Sequence, residues 1–186
     1  MSKMGAEIGR IVAEDVSLRV TQYDVLFEAI TNALHSNSTK VQCFLNSNQV
    51  LQTNDGEGIA QRKVDDIVVT DNGDGFNRDN FESFCKYRSA FKISLGCKGV
   101  GRFIFLKVYS RVLYTSTIKE MGMERSFLFD LNFDTENINE TKKEVLENLT
   151  EVRFSSLTSN YLNLERGIDR RITLHLDNIR EKVLNN

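Results

Sequence analysis

Glu28 and Asn32 stand four residues apart in a stretch whose apolar residues recur at helical spacing. Residues at this separation project from the same face of a helix, so the pair would present a carboxylate beside a neutral amide oxygen. A carboxylate can take a proton from water, and an amide oxygen can bind Mg²⁺ without adding negative charge. The pair is therefore a candidate for metal-assisted attack of water on a phosphate. A plain solvent-exposed stripe, continued by His35, is the alternative.

A second candidate is the segment VTDNGDGF, residues 69–76, in which an apolar run ends on Asp71 and Gly73 and Gly75 follow at once. Such a segment could be a tight turn, a calcium loop or the floor of a nucleotide pocket. Calcium is excluded, because an EF-hand alignment on Gly75 puts a threonine and a phenylalanine where the loop needs a carboxylate and a bidentate glutamate. The turn and the nucleotide pocket remain.

Closely spaced glycines form a third candidate, GCKGVG at residues 96–101, with the spacing GxxGxG. This spacing matches neither a Walker A loop nor a dinucleotide fingerprint. Glycines this close still let backbone N–H groups approach a phosphate, and a following helix would add positive potential. Lys98 and Arg102 would reinforce that potential, whereas Cys97 is expected to pack without chemistry. Taken alone, the string is as consistent with an ordinary turn.

The elements that must position these motifs are readable from periodicity. Residues 21–36 predict a helix that begins with a capping pair, Thr21 and Asp24. Its predicted apolar face comprises Leu26, Phe27, Ala29, Ile30, Ala33 and Leu34. A second, short helix is expected at 78–87, capped by Asn77.

Strands are predicted by alternating or β-branched runs at residues 40–45, 64–70, 112–117, 124–133 and 150–154. Residues 103–109 could be helix or strand, 134–148 read as a solvated excursion, and the tail 161–184 has helical periodicity. Helices with an antiparallel-leaning sheet in one domain predict an α+β fold, a two-layer sandwich.

Composition limits the classes of function that the chain can have. The 186 residues are 40% hydrophobic and 27% charged, with a net charge of -2, which suits one globular domain and gives no broad attraction for nucleic acid. We find neither a secretory leader nor an apolar run of about 18 residues, so we expect a soluble, cytoplasmic protein without membrane contact. Three cysteines without CxxC spacing indicate neither a disulfide framework nor a zinc site.

In their order and spacing, the helical E-x-x-x-N, the D-x-G-x-G after a strand and the G-x-x-G-x-G resemble the GHKL ATPases: DNA gyrase B, the ninety-kilodalton heat-shock chaperones, histidine kinases and MutL. The resemblance extends roughly from Tyr23 to Phe154. It implies the Bergerat fold, a two-layer α/β sandwich with helices over one face of a mixed, mainly antiparallel sheet. Within this superfamily NALHS and GCKGVGRF look most similar to bacterial histidine-kinase-like ATP-binding proteins, while MutL-like and MORC-like members remain open.

The resemblance also implies a role for individual residues. Glu28 would be the general base, Asn32 the Mg²⁺ ligand and Asp71 the acceptor of the adenine amino group. The other implied nucleotide-binding residues are Gly73, Gly75, Phe76, Lys92, Gly96, Lys98, Gly99, Val100, Gly101, Arg102 and Thr150. Thr150 is the looser match, because Leu149 stands where the family usually has glycine. Residues 77–95 would form the lid, from which Lys92 would reach a phosphate or simply be solvated. His35 would orient Asn32 or a metal-bound water, or it would be a neutral histidine whose hydrogen bonds are satisfied.

By the same resemblance, the chain would be an ATPase, weak as an isolated domain. Mg²⁺-dependent binding of ATP and slow hydrolysis to ADP would drive lid closure and homodimerisation of a longer protein, in which residues 1–186 are a single domain. Glu28 favours hydrolysis, because histidine kinases usually lack this glutamate. Two alternatives stay open: a nucleotide-binding or interaction module without hydrolysis, and a histidine-kinase catalytic domain. The sequence does not name a downstream protein or DNA client.

Overall fold

The computed structural model describes residues 4–17, 19–46, 64–86 and 100–162. Within these ranges the elements are α1 (Met4–Glu14), α2 (Gln22–His35), β1 (Val41–Asn46), β2 (Asp66–Asp71), α3 (Arg78–Cys85), α4 (Arg102–Val108), β3 (Tyr109–Ile118), β4 (Met123–Phe129), β5 (Asn139–Lys142), β6 (Leu149–Leu157) and α5 (Ser159–Leu162). No helix in these ranges is both long and apolar enough to cross a bilayer.

The six described strands form one sheet in the order β1-β2-β6-β3-β4-β5. Every pairing among them is antiparallel, although the resemblance implied a mixed sheet. Side chains alternate along the strands, so Ile67 and Val69 of β2 and Phe154 of β6 are buried against the helices. This is the predicted α+β two-layer sandwich, with its core between the helices and one face of the sheet.

The predicted capping pair is confirmed at the start of α2. The Asp24 amide donates to the Thr21 hydroxyl, and the Asp24 carboxylate accepts from the Thr21 amide at 2.6 Å. The buried face of α2 differs from the predicted one by a rotation: Val25 is buried, whereas Phe27 is 42% exposed and stacks on Tyr23. Phe27 lies at the edge of the apolar arc, on the side away from Val25, so a small rotation of the helix removes it from the core.

A buried glutamine, which sequence reasoning missed, fixes the first turn of α2. The side chain of Gln22 accepts a hydrogen bond from the Val64 amide at 2.9 Å, and its backbone amide donates to the Tyr161 hydroxyl at 3.2 Å. The Tyr109 hydroxyl donates to the Val64 carbonyl at 2.7 Å, and burial raises the pKa of Tyr109. These contacts join α2 to the start of β3 and to α5, and so set the direction in which Glu28 and Asn32 project two turns later.

The structure confirms some of the other predicted element boundaries and corrects the rest. Asn77 does cap α3, since its side chain accepts from the Asn80 amide at 2.9 Å. Residues 102–108 are helical. The fourth predicted strand is too long, because β4 ends at Phe129 and a turn follows in which the Asp130 carboxylate accepts from the Asn132 amide at 2.7 Å. The acidic excursion is exposed as expected, but it contains the unforeseen edge strand β5. Of the predicted tail helix, residues beyond 162 lie outside the described ranges.

Candidate functional site

A cavity of about 590 Å³ lies between α2, α3, α4 and the helix-facing side of the sheet. This volume is in the range of sites for small organic ligands, roughly 300 to 1,000 Å³. The structure brings together here nine of the residues singled out from the sequence: Glu28, Asn32, Asp71, Gly75, Phe76, Val100, Gly101, Arg102 and Thr150. His35 lines the same cavity.

Glu28 and Asn32 of α2 line this cavity. They are therefore more than the solvent-exposed stripe that was the alternative interpretation. The Asn32 side-chain amide donates to Glu28 Oε1 at 3.2 Å. Burial raises the pKa of the Glu28 carboxyl, and the hydrogen bond from Asn32 partly opposes that rise. Because Asn32 uses its nitrogen on Glu28, its oxygen is the atom that can bind a cation. The pair thus offers a proton acceptor and a neutral metal ligand side by side.

Gly101 precedes α4 and lies against Glu28. A Cβ atom at position 101 would collide with the Glu28 carboxylate. Glycine at this position therefore lets α2 and the start of α4 approach closely, with the carboxylate between them.

Asp71 closes β2 at the floor of the cavity and is buried. Its Oδ1 accepts two hydrogen bonds, from the Ser38 hydroxyl at 2.7 Å and from the Gly73 amide at 2.8 Å. Two donors on one carboxylate oxygen fix the orientation of the group. Gly73 itself sits behind Asp71 and does not line the cavity.

Asp71 is one end of a polar row that crosses four strands in register. Asp71 pairs with Thr150 on β6, Thr150 with Ser116 on β3, and Ser116 with Arg125 on β4. All four side chains are buried. The row continues to Glu140 on the edge strand, which binds Arg125 Nη2 at 2.7 Å. Buried polar side chains need hydrogen-bond partners: within the row Ser116 contacts Thr150 and Arg125 contacts Glu140, while Asp71 is held by Ser38 and Gly73.

Sequence reasoning found Asp71 and Thr150 and missed Ser116 and Arg125. The alternation of inward-facing and outward-facing positions along a strand could have identified both residues. In MERSFLF, Arg125 falls on the same inward face as Phe127 and Phe129, and in β3 Ser116 takes the inward position next to Tyr114. A charged or hydroxyl side chain at an inward position indicates a partner, but only the strand register shows which partner.

The row also holds the glycine-containing segment that follows Asp71. The Phe76 amide donates to Ser116 Oγ at 3.1 Å, and Arg125 Nη1 donates to the Phe76 carbonyl at 2.5 Å. Gly75, which directly precedes Phe76, adopts a φ of 64°, in the left-handed region, and a Cβ there would collide with Ser116 Oγ. A glycine at 75 is thus required by both conformation and space.

Asp74 connects this segment to the end of α2. Its amide donates to the Ser36 carbonyl at 2.7 Å, and its carboxylate accepts from the Asn37 side chain at 2.6 Å. Asn37 has a φ of 63°, which asparagine tolerates better than most residues. The two loops at this edge of the cavity therefore support each other.

Arg102 lies in the cavity wall between α3 and α4. Its guanidinium carbon is 4.4 Å from the ring centroid of Phe103 and 5.1 Å from that of Phe84, and Nη2 donates to the Lys86 carbonyl at 3.1 Å. Burial lowers the pKa of Arg102 to about 10, so it remains a cation at neutral pH. Arg102, the first residue after the glycine string, thus connects the start of α4 to the end of α3, the helix of the predicted lid.

Several predicted site residues lie outside the described ranges: Lys92, Gly96, Lys98 and Gly99, together with Cys97 and the part of the predicted lid beyond residue 86. Of that lid, the structure describes α3. Within the described ranges no group of three or more His, Cys, Asp or Glu side chains could hold a metal ion by itself.

Comparison with known proteins adds independent findings. Over residues 20–163 the sequence matches the family described as histidine kinase-, DNA gyrase B-, and HSP90-like ATPase. A similar solved structure is the 43K ATPase domain of Thermus thermophilus gyrase B in complex with an aminocoumarin, with a TM-score of 0.57 and 17% identity over 94% of this chain and 44% of that one. The likeness is one of fold, and the chain spans less than half the length of that structure. No curated protein matches the sequence.

Proposed function

The chain belongs to the histidine kinase-, DNA gyrase B- and HSP90-like ATPases, and from this premise we propose that its cavity binds ATP with Mg²⁺ and hydrolyses the nucleotide slowly to ADP. One observation carries the proposal: Asp71 of β2 and the pair Glu28 and Asn32 of α2 line a single cavity. The first is a group that can read a base, and the pair can act on a phosphate.

Recognition of adenine follows from the fixed carboxylate. Asp71 Oδ1 is held by Ser38 and Gly73, so the carboxylate presents acceptor atoms in a set orientation at the buried floor. Adenine carries an exocyclic amino group, which donates, whereas guanine carries a carbonyl at the same ring position, which accepts. An acceptor at the cavity floor therefore favours adenine.

The donor atoms of this chain suit Mg²⁺. This ion prefers oxygen ligands and usually binds through one or two protein groups together with phosphate oxygens and water. Asn32 offers such an oxygen, since its nitrogen is engaged by Glu28. When bound, Mg²⁺ neutralises negative charge on the phosphates.

Glu28 is the general base of the proposed hydrolysis. An ionised carboxylate at this position can take a proton from a water molecule, and a raised pKa strengthens it as a base. Its hydrogen bond from Asn32 holds Oε1 in place. The same burial keeps a larger fraction of the carboxyl protonated, and we expect this to slow turnover by the isolated domain.

Lid closure and ATP-dependent homodimerisation in a longer protein complete the proposal. They are supported by the family resemblance and by the way α3 is attached. None of the residues of α3 is buried, and Phe84 and Phe81 contact Arg102 and Arg125 through their rings. Phe81 and Phe84 also pack against the buried ring of Phe127, so closure would keep this aromatic contact while the rest of α3, which has no buried residue, shifts.

The test is ATP hydrolysis and ATP binding by the wild-type chain and the Glu28→Gln variant. We expect the variant to bind ATP within about threefold of wild type and to lose about 100-fold or more in turnover, as for removal of a general base. Glu120→Gln, an exposed glutamate in the β3–β4 turn, is the matched control. Unchanged turnover by Glu28→Gln would remove the base from the proposal, and phosphotransfer to a supplied histidine-containing domain would favour a kinase.

A further inference from the structure

Ser116 is fully buried beside the cavity floor and makes two polar contacts. It accepts a hydrogen bond from the Phe76 amide at 3.1 Å, and its Oγ lies 3.0 Å from Thr150 Oγ1. Thr150 lines the cavity and sits beside Asp71 across β2 and β6. Ser116 is thus one step behind the cavity surface, in contact with a residue on that surface.

The direction of these hydrogen bonds can be assigned from donor counting. A backbone N–H only donates, so the contact with Phe76 uses a lone pair of Ser116 and leaves its hydroxyl hydrogen available. A buried hydroxyl hydrogen without an acceptor is costly. Among the described residues, Thr150 Oγ1 is the acceptor within reach of the Ser116 hydroxyl. Donation therefore runs from Phe76 to Ser116 to Thr150.

The consequence is that Thr150 does not use its own hydrogen on Ser116. We infer that Ser116 is a specificity-determining positioning residue, which fixes the Thr150 hydroxyl as a hydrogen-bond donor toward the cavity. The inference rests on the proposed function, namely that a purine nucleotide occupies the cavity. It concerns a residue behind the binding surface and acts through Thr150.

Thr150 as a donor and Asp71 as an acceptor lie side by side. Together they match a base edge on which an amino group adjoins a ring nitrogen with a lone pair, as on adenine. Hypoxanthine and guanine present a carbonyl beside a ring N–H, so each has an acceptor where adenine has a donor and a donor where adenine has an acceptor. Ser116 therefore contributes to rejection of these bases at the ring nitrogen, separately from Asp71 at the exocyclic group.

The experiment compares dissociation constants of ATP and inosine triphosphate for wild type, Ser116→Ala and Ser126→Ala. Ser126 lies on β4 and does not line the cavity, so its variant controls for loss of a serine hydroxyl from the sheet. In Ser116→Ala the Thr150 hydroxyl can turn, and we expect the preference for ATP over inosine triphosphate to fall by about fivefold to tenfold, the value of one hydrogen bond. The Ser126→Ala ratio should equal that of wild type.

A second measurement needs no variant and keeps the inference falsifiable if Ser116→Ala does not fold. Wild-type protein should bind 1-deaza-ATP, which lacks the ring acceptor, about tenfold more weakly than ATP, because a fixed donor is left without a partner. Equal affinity for the two nucleotides, or an unchanged ATP preference in a folded Ser116→Ala, would overturn the inference while ATP binding stands. If wild type binds neither triphosphate, the proposed function fails and the inference fails with it.

Discussion

The carboxylate of Glu28 occupies the space into which any side chain at Gly101 would project. This contact joins the proposed base on α2 to the last glycine of the GxxGxG string before α4. The atoms that a Cβ would meet are at the far end of a flexible side chain, so a larger residue would displace the carboxylate more readily than the backbone. A substitution at position 101 should therefore move the carboxylate of Glu28, the proposed general base.

Gly101→Ala should reduce ATP turnover by about tenfold or more, because a base displaced by about an ångström loses its alignment with the attacking water. The variant should remain folded, as judged by circular dichroism and thermal melting. Gly9→Ala is the matched control, since a Cβ there meets nothing within 4 Å and alanine suits a helix better than glycine. Equal turnover by both variants would show that the Glu28 contact does not matter for hydrolysis.

Glu28→Gln should stabilise the folded domain at neutral pH. Burial raises the pKa of Glu28 above its ordinary value of 4.5, so the folded state binds the proton more tightly than the unfolded state does. The contribution of the carboxyl to stability is then fully present below the unfolded pKa and is lost as pH rises through the folded pKa. Glutamine, which is neutral throughout, avoids that loss.

Thermal melting of wild type and Glu28→Gln at pH 4 and pH 7 checks this sign. The melting temperature of the variant should exceed that of wild type at pH 7 by more than it does at pH 4. Glu120→Gln, at an exposed glutamate, is the control for the substitution itself. A gain that is larger at pH 4 would contradict the direction of the shift.

Arg125→Met should lower the free energy of unfolding by about 1–3 kcal/mol, since it leaves the part-buried Phe76 carbonyl without the donor that Arg125 supplies. Arg125 also stacks over Phe81, at 4.4 Å from the ring centroid, and binds Glu140, whose side chain is 50% exposed and so can be resolvated. The measurement is urea denaturation.

The control for Arg125→Met is Arg153→Met, an exposed arginine paired with Glu151 at 3.3 Å. Surface pairs contribute little, and this change should cost less than about 1 kcal/mol. Equal losses in the two arginine variants would mean that the link from Arg125 to the Phe76 segment is not structural.

Residues whose partners are near in sequence could be predicted from the sequence. Thr21 and Asp24 are three positions apart, and their capping hydrogen bonds predicted the start of α2 correctly. Glu28 and Asn32 were found because one helical turn puts them together. Ser116 and Arg125 were not, because their partners Thr150 and Phe76 lie 34 and 49 residues away in sequence and only the tertiary fold brings them together.

Isothermal titration with ATP and Mg²⁺ tests whether Asp71 recognises the adenine of a bound ATP. In Asp71→Asn, Ser38 and Gly73 would hold the amide oxygen at the Oδ1 position, which puts an NH₂ group where the second carboxylate oxygen was and opposes the adenine amino group. Wild type should bind ATP, and Asp71→Asn should bind it at least about tenfold more weakly. Asp74→Asn, the control from the same segment, should bind like wild type. Undiminished ATP affinity in Asp71→Asn would contradict this role of Asp71.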